Sequence, residues 1–390
     1  MRFTPRLLEQ PLRRAARQFA AVILTGPRRS GKTTLCQHLY PRAAYVLLED
    51  PDVVARVRAD PRAFLDSLRL PVILDEIQNA PELLNYIRTR IDRAPSRKGD
   101  WFLTGSQEAP LMRGVTESMA GRAAVLQLLP LSHREDARVS WFYGGFPEVL
   151  ARPHGAPLWF QSYLQTYLER DVRALAAIRD LATFRRFLSL LASRTGQILN
   201  KTDIAAPLGV SVPTVSQWLS ILEVTAQILL VQPFFENFGK RLTKSPKLYF
   251  LDSGLVCHLL GIETAASLAR SPFSGAVFEG FIASEIVKAQ VNAGKRRELY
   301  FFRDEQGLEV DFVVPTGPAE LLLLEAKATR TLRPEMAAPA ERLARAIKRY
   351  KTHTAVIGLA SRDSDFSALH PGTRAASLKN LPALLASSKR

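Results

Sequence analysis

The chain has 390 residues, of which 47% are hydrophobic, so we expect two to four domains, each with a true core. Its formal net charge of +16 favours anionic partners such as nucleic acid or anionic lipid, although an arginine- and alanine-rich composition can also reflect the coding bias of a genome. Because the only cysteines are Cys36 and Cys257 and the six histidines show no zinc-ligand spacing, the composition excludes a disulfide framework and argues against zinc.

The first predicted element is a buried strand at "AAVILTG", which ends at Gly26. The arginines before it resemble a targeting peptide, but the apolar run is too short and continues into a glycine loop. No run in the chain approaches the ~18 apolar residues that span a bilayer. We therefore expect a cytoplasmic protein with no membrane segment.

The strand leads into "GPRRSGKTT", which matches the pattern G-x-x-x-x-G-K-[ST]. Backbone amides at a helix N-terminus can meet several phosphate oxygens, and glycines let the main chain curl around them. Lys32 would reach the β and γ phosphates of ATP, and Thr33 would offer its hydroxyl to Mg²⁺. The predicted ATP-binding residues are Gly26, Pro27, Arg28, Arg29, Ser30, Gly31, Lys32, Thr33 and Thr34.

Two further apolar runs end in polar side chains. "LPVILDEIQ" predicts a buried strand ending at Asp75, which would hold Mg²⁺ through water, and Glu76, which would polarise the attacking water. A helix N-cap would explain Asp75, but it would explain neither Glu76 nor the buried strand. "DWFLTGSQ" predicts another core strand ending at Ser106, which could sense the γ-phosphate, with Thr104 and Gln107 as alternatives.

Arg122 stands directly before a further predicted strand in "MAGRAAVLQLLPLSHRE". It could act as an arginine finger on the nucleotide of a neighbouring subunit, which would imply a homo-oligomer. The alternative is a solvated or salt-bridged arginine. Over residues 1–140, strands that alternate with helices predict a parallel sheet with helices on both faces.

Together, "GPRRSGKTT", "LDEIQNAPELL", "FLTGSQ" and "MAGRAAVLQLLPLSHRE" resemble a family of prokaryotic AAA+-type ATPases that carry a C-terminal domain of unknown function. The resemblance continues through "GGFPEV", "YLERDV", "KLYFLDSGL" and "EVDF" almost to the end of the chain. It implies ATP and Mg²⁺ as ligands. It also implies an α/β architecture of a P-loop ATPase domain, a winged helix and a C-terminal domain with a restriction-endonuclease-like core.

The middle of the chain predicts a helical bridging or lid segment over residues 141–195 and a winged helix over residues 196–255. In the latter, a helix is followed by a turn at Gly209 and a second helix capped by Ser211. Because the second helix is nearly uncharged, a protein-contact module or an ATPase lid is the alternative to a DNA reader. The predicted DNA contacts are Thr214, Ser216 and Gln217 on that helix and Lys240, Arg241, Lys244 and Lys247 on the wing.

The last segment, residues 256–390, predicts a helix carrying Glu279 and three strands. Glu325 and Lys327 are two residues apart on one strand, so their side chains face the same side. If the strand that carries Asp311 pairs with this strand, the three side chains converge. Asp311 and Glu325 would hold Mg²⁺, Lys327 would position water or steady charge on phosphorus, and Glu279 would complete the site. The set resembles a PD-(D/E)XK nuclease core. A surface ion pair on an inactive fold is the alternative.

The sequence therefore predicts an ATP-hydrolysing chain that acts on DNA through the winged helix and the nuclease-like domain. The alternative is a nucleotide-driven switch that binds a protein partner in a stress or defence system, in which the nuclease-like domain is inactive.

Overall fold

The computed structural model describes residues 3–105, 118–168, 180–234, 245–359 and 367–386. Five residues singled out from the sequence lie outside these ranges: Ser106, Gln107, Lys240, Arg241 and Lys244.

The N-terminal third is built on a five-stranded sheet in the order β2-β3-β4-β1-β5. Every pairing in this sheet is parallel. β1, β3 and β4 are buried along their whole length, as expected for parallel strands covered on both sides. The predicted parallel sheet is confirmed. Its strands are β1 Ala21–Thr25, β2 Ala44–Leu47, β3 Val72–Asp75, β4 Trp101–Thr104 and β5 Ala123–Gln127.

Helices cover both faces of this sheet, also as predicted. On one face, Leu12 and Leu35 pack with Val22 of β1. On the other face, Leu84 packs with Ile23 of β1. The two faces separate because successive strand side chains point in opposite directions. The first face holds α1 Glu9–Gln18 and α2 Lys32–Leu39, and the second holds α3 Pro51–Ala59, α4 Pro61–Asp66 and α5 Leu83–Arg93.

A mainly helical segment follows. The predicted turn is present: Gly209 ends one helix at φ +66°, and the Ser211 hydroxyl accepts from the Thr214 amide at 3.2 Å to cap the next. Val215, Leu219 and Leu222 are buried on the inner face, as predicted. The elements are α6 Pro147–Ala151, α7 Ala156–Tyr163 with a π-helical turn over Leu164–Leu168, α8 Leu181–Ser193, α9 Lys201–Leu208, α10 Val212–Val224, β6 Ile228–Pro233 and β7 Lys247–Phe250.

The C-terminal part is a mixed eight-stranded sheet in the order β12-β13-β11-β10-β9-β8-β6-β7. β6 and β7 form an antiparallel pair, and β6 also pairs in parallel with β8, so the hairpin after α10 is one edge of this sheet. α13 covers one face and α14 the other. The elements are α11 Ser253–Leu259, α12 Ala265–Arg270, α13 Ser274–Asn292, β8 Tyr300–Arg303, β9 Glu309–Gly317, β10 Glu320–Lys327, α14 Ala338–Ala346, β11 Lys351–Gly358, β12 Ser367–His370, β13 Thr373–Ser377 and α15 Leu381–Leu385.

Among the described residues, no single helix is long and apolar enough to cross a bilayer. Only the pair α9 and α10, bent by 111°, passes such a test together, by length and composition.

Candidate functional site

The loop between β1 and α2 has the backbone that the phosphate-binding pattern predicts. Gly26 has φ +143°, and a Cβ there would overlap the Leu128 carbonyl. Gly31 has φ +93° and is the N-cap of α2, which begins at Lys32. Such values suit glycine far better than residues with a side chain. The loop therefore places the first-turn amides of α2 at the carboxyl edge of the sheet.

A cleft of about 560 Å³ opens at this loop. This volume lies within the ordinary range for a bound small molecule, roughly 300 to 1,000 Å³. Its walls combine the loop with Glu76 after β3 and with side chains from the segment that follows the parallel sheet. They include Arg28, Arg29, Ser30, Lys32, Thr33, Thr34, Glu49, Glu76, Arg138 and Glu148.

Three hydroxyl groups surround the buried carboxylate of Asp75. Thr33 Oγ1 donates to Asp75 Oδ2 at 2.7 Å, and the Tyr45 hydroxyl donates to the same oxygen at 2.8 Å. Thr104 Oγ1 donates to Asp75 Oδ1. Burial, and then the bond to Asp75, raises the pKa of Tyr45. The two predicted Mg²⁺ residues, Thr33 and Asp75, are thus in direct contact.

Lys32 precedes Thr33 in the chain, and Glu76 follows Asp75. Lys32 is buried, and its Nζ donates to the carbonyls of Gly26 and Pro27 at 3.0 Å each. Glu76 has a left-handed backbone at φ +60° and accepts from the side chain of Gln78. Because both line the cleft, the predicted phosphate ligand and the predicted water-polarising group face the same space.

These residues fit a nucleoside triphosphate with Mg²⁺. Within the described part of the chain, the buried hydroxyl of Ser30 has no hydrogen-bond partner, although it lies in the phosphate-binding loop. A buried polar group without a partner is costly, and a phosphate oxygen would satisfy it. The Thr33 hydroxyl and the Asp75 carboxylate are oxygen donors, the kind that Mg²⁺ prefers.

Tyr45 was missed from the sequence, and a substitution tests its role. Tyr45→Phe removes one of the bonds that orient Asp75. Bonds to charged groups contribute about 1.5 to 3 kcal/mol. A loss at the low end of that range corresponds to about tenfold in affinity. We therefore expect the Mg²⁺ concentration for half-maximal ATP turnover to rise about tenfold. Tyr86→Phe in α5, away from Asp75, should leave this concentration unchanged. Equal values for the wild type and Tyr45→Phe would contradict the role.

Arg6, also missed, ties the phosphate-binding loop to the segment after β5. Its guanidinium donates to the Ser30 carbonyl at 2.9 Å, the Leu129 carbonyl at 2.7 Å and Glu135 Oε1 at 3.0 Å. Burial alone would raise the pKa of Glu135. Arg6 and the amides of Ser132 and Leu7 outweigh this effect, so the pKa lies below its usual value. Glu135 therefore remains charged, and the loop is fixed from outside its own motif.

The same segment contacts α13 of the C-terminal part. The His133 amide donates to Glu285 Oε2 at 2.8 Å. Glu285 Oε1 accepts from Lys288 Nζ at 3.0 Å, and Lys288 also donates to the Leu131 carbonyl at 3.0 Å. Lys288 is almost fully buried. Polar contacts thus run from Ser30 through Arg6 and Glu135 to Ser132, and the backbone on either side of Ser132 contacts α13.

Two sequence motifs of the family resemblance meet in space. The Gly145 amide in "GGFPEV" donates to Asp252 Oδ2 at 2.8 Å, and Asp252 Oδ1 caps α11 by accepting from the Leu255 amide at 3.1 Å. A Cβ at Gly144 would overlap the Asp252 carboxylate, and one at Gly254 would overlap the Tyr143 carbonyl. Burial raises the pKa of Asp252. These motifs are explained by close packing between the segment after β5 and α11.

Arg122 forms an ion pair with Asp92 of α5, with N···O distances of 2.6 and 3.0 Å. Arg122 precedes β5, so it lies at the amino ends of the parallel strands, whereas the phosphate-binding loop follows the carboxyl end of β1. The salt-bridged alternative therefore describes its contacts in this chain. Its action on a neighbouring subunit stays a prediction.

On the outer face of α10, Thr214 and Ser216 are half-buried and Gln217 is exposed. The prediction that Lys247 contacts DNA is wrong. Lys247 is 2% exposed, because β7 returns into the sheet and turns this side chain inward. Its Nζ pairs with Glu279 at 3.0 Å and with Glu309.

The predicted acidic set does converge. Lys327 Nζ lies 2.7 Å from Glu325 Oε2 and 3.2 Å from Asp311 Oδ2. Burial, and then the neighbouring Asp311 carboxylate, raises the pKa of Glu325 to about 8. Burial would lower the pKa of Lys327, but the two carboxylates outweigh burial and raise it.

Glu279 approaches the same region from α13 but is already paired. It accepts from Lys247 at 3.0 Å and from the Tyr249 hydroxyl. Burial and the Asp311 carboxylate raise the pKa of Glu279 to about 7.

The predicted Mg²⁺ site at Asp311 and Glu325 stays a prediction, because Lys327, which lies between them, was itself predicted as part of that site. The ammonium group of Lys327 bridges the two carboxylates. Over residues 3–105, 118–168, 180–234, 245–359 and 367–386, no three His, Cys, Asp or Glu side chains are grouped to hold a metal ion.

Comparison with known proteins matches three consecutive family models. They are an AAA domain over residues 18–136, a domain of unknown function (DUF8612) over residues 134–266 and another (DUF4143) over residues 274–378.

Two curated relatives share most of this length. The uncharacterized proteins Rv2008c of Mycobacterium tuberculosis and Mb2031c of Mycobacterium bovis are each 33% identical over 310 residues, which is 78% of this chain and 69% of theirs. Among solved structures, the Walker-type ATPase paby2304 of Pyrococcus abyssi is 17% identical, with a TM-score of 0.40, and covers 65% of this chain and 94% of that one.

Proposed function

We propose a function from the premise that this chain belongs to an AAA-domain P-loop ATPase family, together with Rv2008c and Mb2031c. Its N-terminal domain binds ATP with Mg²⁺ in the 560 Å³ cleft and hydrolyses the bond between the β and γ phosphates. The observation that carries this proposal is the 2.7 Å contact between Thr33 Oγ1 and Asp75 Oδ2, beside the phosphate-binding loop.

The chain's own residues divide the work of hydrolysis. The first-turn amides of α2 and Lys32 bind the phosphate oxygens of ATP. Mg²⁺, when bound, neutralises charge on the β and γ oxygens, and Thr33 and Asp75 would hold it. Glu76 orients and polarises the water whose oxygen bonds to the γ-phosphorus while the bond to the β-phosphate oxygen breaks. The products are ADP and phosphate.

Phosphate release by the purified chain tests this proposal. With ATP and Mg²⁺ we expect steady release, and chelation of the metal with EDTA should stop it. Readdition of Mg²⁺ should restore the rate, which excludes damage by the chelator. A rate at the uncatalysed level with ATP and Mg²⁺ would contradict the proposal.

For the target of the hydrolysis, we propose DNA, bound by a winged helix. The support is the bent pair α9 and α10 followed by the hairpin of β6 and β7, together with the partly exposed polar face of α10 and the net charge of +16. We further propose that the nuclease-like site does not cut, because Glu279 of its acidic set is already paired with Lys247.

A gel with labelled single-stranded, duplex and branched DNA tests both statements, with Mg²⁺ or Mn²⁺ and with or without ATP. We expect duplex binding that the double variant Ser216→Glu/Gln217→Glu weakens, and no cleavage in the wild type or Asp311→Ala. Cleavage that Asp311→Ala abolishes would show a working metal site and would contradict the second statement.

A second candidate function is a nucleotide-driven switch for a protein partner. The ion-paired acidic residues favour it, because an inactive nuclease-like fold is free to serve as a binding surface. Absence of binding to every DNA form in the gel would select this candidate.

A further inference from the structure

The end of β6 places an aromatic side chain in a cleft on the C-terminal sheet. Phe234 follows β6, and its amide donates to the Phe301 carbonyl at 2.7 Å. Its ring lies 6.0 Å from that of Tyr300 on β8 and 6.1 Å from that of Tyr350 before β11, edge to face in both cases. All three are half-buried and line a cleft of about 660 Å³. They offer partly exposed π surface to a planar ligand.

Two basic side chains stand on the same cleft. Lys295 and Arg296 lie in the loop between α13 and β8, and both are exposed. The backbone of this loop is held in place by Gln290, whose side chain donates to the Glu298 carbonyl at 2.9 Å and accepts from the Glu298 amide at 3.0 Å. The Lys295 amide also donates to the Gln290 carbonyl at 3.0 Å. The loop therefore presents two cations from a fixed backbone.

A second cleft of about 790 Å³ continues from the first, because Gln290, Lys295 and Leu385 line both. Its wall adds the basic residues Arg14, Arg134 and Lys379. The acidic residues of the joined clefts are Glu9, Glu285 and Glu298, and Glu285 is paired with Lys288. The basic residues outnumber them, so the net charge of the joined clefts is positive.

We propose that the joined clefts bind single-stranded nucleic acid, with unstacked bases against Phe234, Tyr300 and Tyr350 and phosphates along Lys295 and Arg296. Aromatic rings beside a positive groove are the combination that holds single strands, because every base has a π face and every link a phosphate. A duplex keeps its base faces stacked and cannot use the rings. The inference rests on the nucleic-acid role proposed above, but it uses a surface other than the outer face of α10.

Fluorescence polarisation with labelled 20-nucleotide strands of DNA and of RNA, and with a matched duplex, tests it. Tyr350→Leu should weaken single-strand binding about 5- to 150-fold, the range for loss of one stacked base. Phe234→Leu is a second variant of the same kind. Lys295→Glu/Arg296→Glu should lower the slope of log K against log salt by about 1.4, for two phosphates on a single strand. The strand type that binds more tightly identifies the natural class.

The control is Arg42→Glu, an exposed arginine of the ATPase domain, which should leave single-strand binding unchanged. A thermal unfolding curve equal to that of the wild type shows that each variant is folded. Single-strand binding that survives both the ring and the loop variants overturns the inference. The inference is also overturned if polyglutamate, a polyanion without bases, displaces the labelled strand as strongly as an unlabelled oligonucleotide does. Failure of the α10 proposal gives a different result, namely duplex binding that does not respond to Ser216→Glu/Gln217→Glu.

Discussion

Lys32→Ala should weaken ATP binding about 100-fold or more. Lys32 is buried at the start of α2, and its ammonium group is the positive charge that the loop directs to phosphate. Truncating one partner of a buried charged pair costs about 2 to 5 kcal/mol, and 100-fold corresponds to about 2.7 kcal/mol. Calorimetric titration with ATP and Mg²⁺ measures the change directly.

Lys98→Ala is the matched control for this measurement. Lys98 is an exposed lysine of the same domain, and its Nζ donates only to a backbone carbonyl, that of Pro95. We expect its ATP affinity to equal that of the wild type. Similar affinities for Lys32→Ala and Lys98→Ala would show that the loop does not bind the triphosphate as described.

Lys247→Met should destabilise the chain by about 3 kcal/mol near pH 8, because it leaves Glu279 and Glu309 without their buried counter-ion. The pKa of Glu279, already about 7, would rise further above its unfolded value. A raised folded-state pKa gives stability that is present at low pH and lost as pH rises. The loss should therefore be smaller at pH 6, where Glu279 takes up a proton. Urea denaturation at both pH values measures it.

Lys351→Met provides the comparison. Lys351 also pairs with a glutamate from a strand, Glu320, at 3.5 Å, but its side chain is 64% exposed. Exposed pairs contribute about 0 to 1 kcal/mol, so this variant should change stability little at either pH. A loss for Lys247→Met no larger than that for Lys351→Met would mean that the buried network does not hold the hairpin to the C-terminal sheet.

The nucleotide site was predictable where its residues are local. The phosphate-binding loop and the end of β3 are short motifs next to apolar runs, and periodicity places them at the carboxyl ends of parallel strands. Tyr45 was not predictable, because it acts across the sheet, from β2 to β3, and strand order is not written in the spacing of the motifs. Arg6 was missed for the same reason. Its partner Glu135 is 129 positions away.

The C-terminal acidic set shows the limit of pattern matching. The pattern predicted correctly that Asp311, Glu325 and Lys327 converge, since strand geometry places residues two apart on one face. It could not show that β6 pairs with β8, which brings β7 and Lys247 against Glu279. A lysine predicted for the wing is instead the counter-ion of a residue predicted for catalysis.

α13 lies between the buried ion pairs of the C-terminal sheet and the contacts of the phosphate-binding loop. It carries Glu279 at the buried ion pairs with β7 and Glu285 at the contacts that lead to Arg6 and the phosphate-binding loop. Rigid helices and polar networks are the physical means by which two sites can be coupled. If nucleotide binding shifts Arg6, α13 is the element through which the hairpin would respond.

Glu76→Gln gives the most direct test of ATP hydrolysis by this chain. The variant keeps the size of the side chain and the residues that bind phosphate, so ATP should bind with wild-type affinity. Without the carboxylate, the attacking water is not polarised, and phosphate release should fall about 100-fold or more, within the usual contribution of a general base. Release at the wild-type rate with ATP and Mg²⁺ would contradict the account, because hydrolysis would not depend on the group placed at the water.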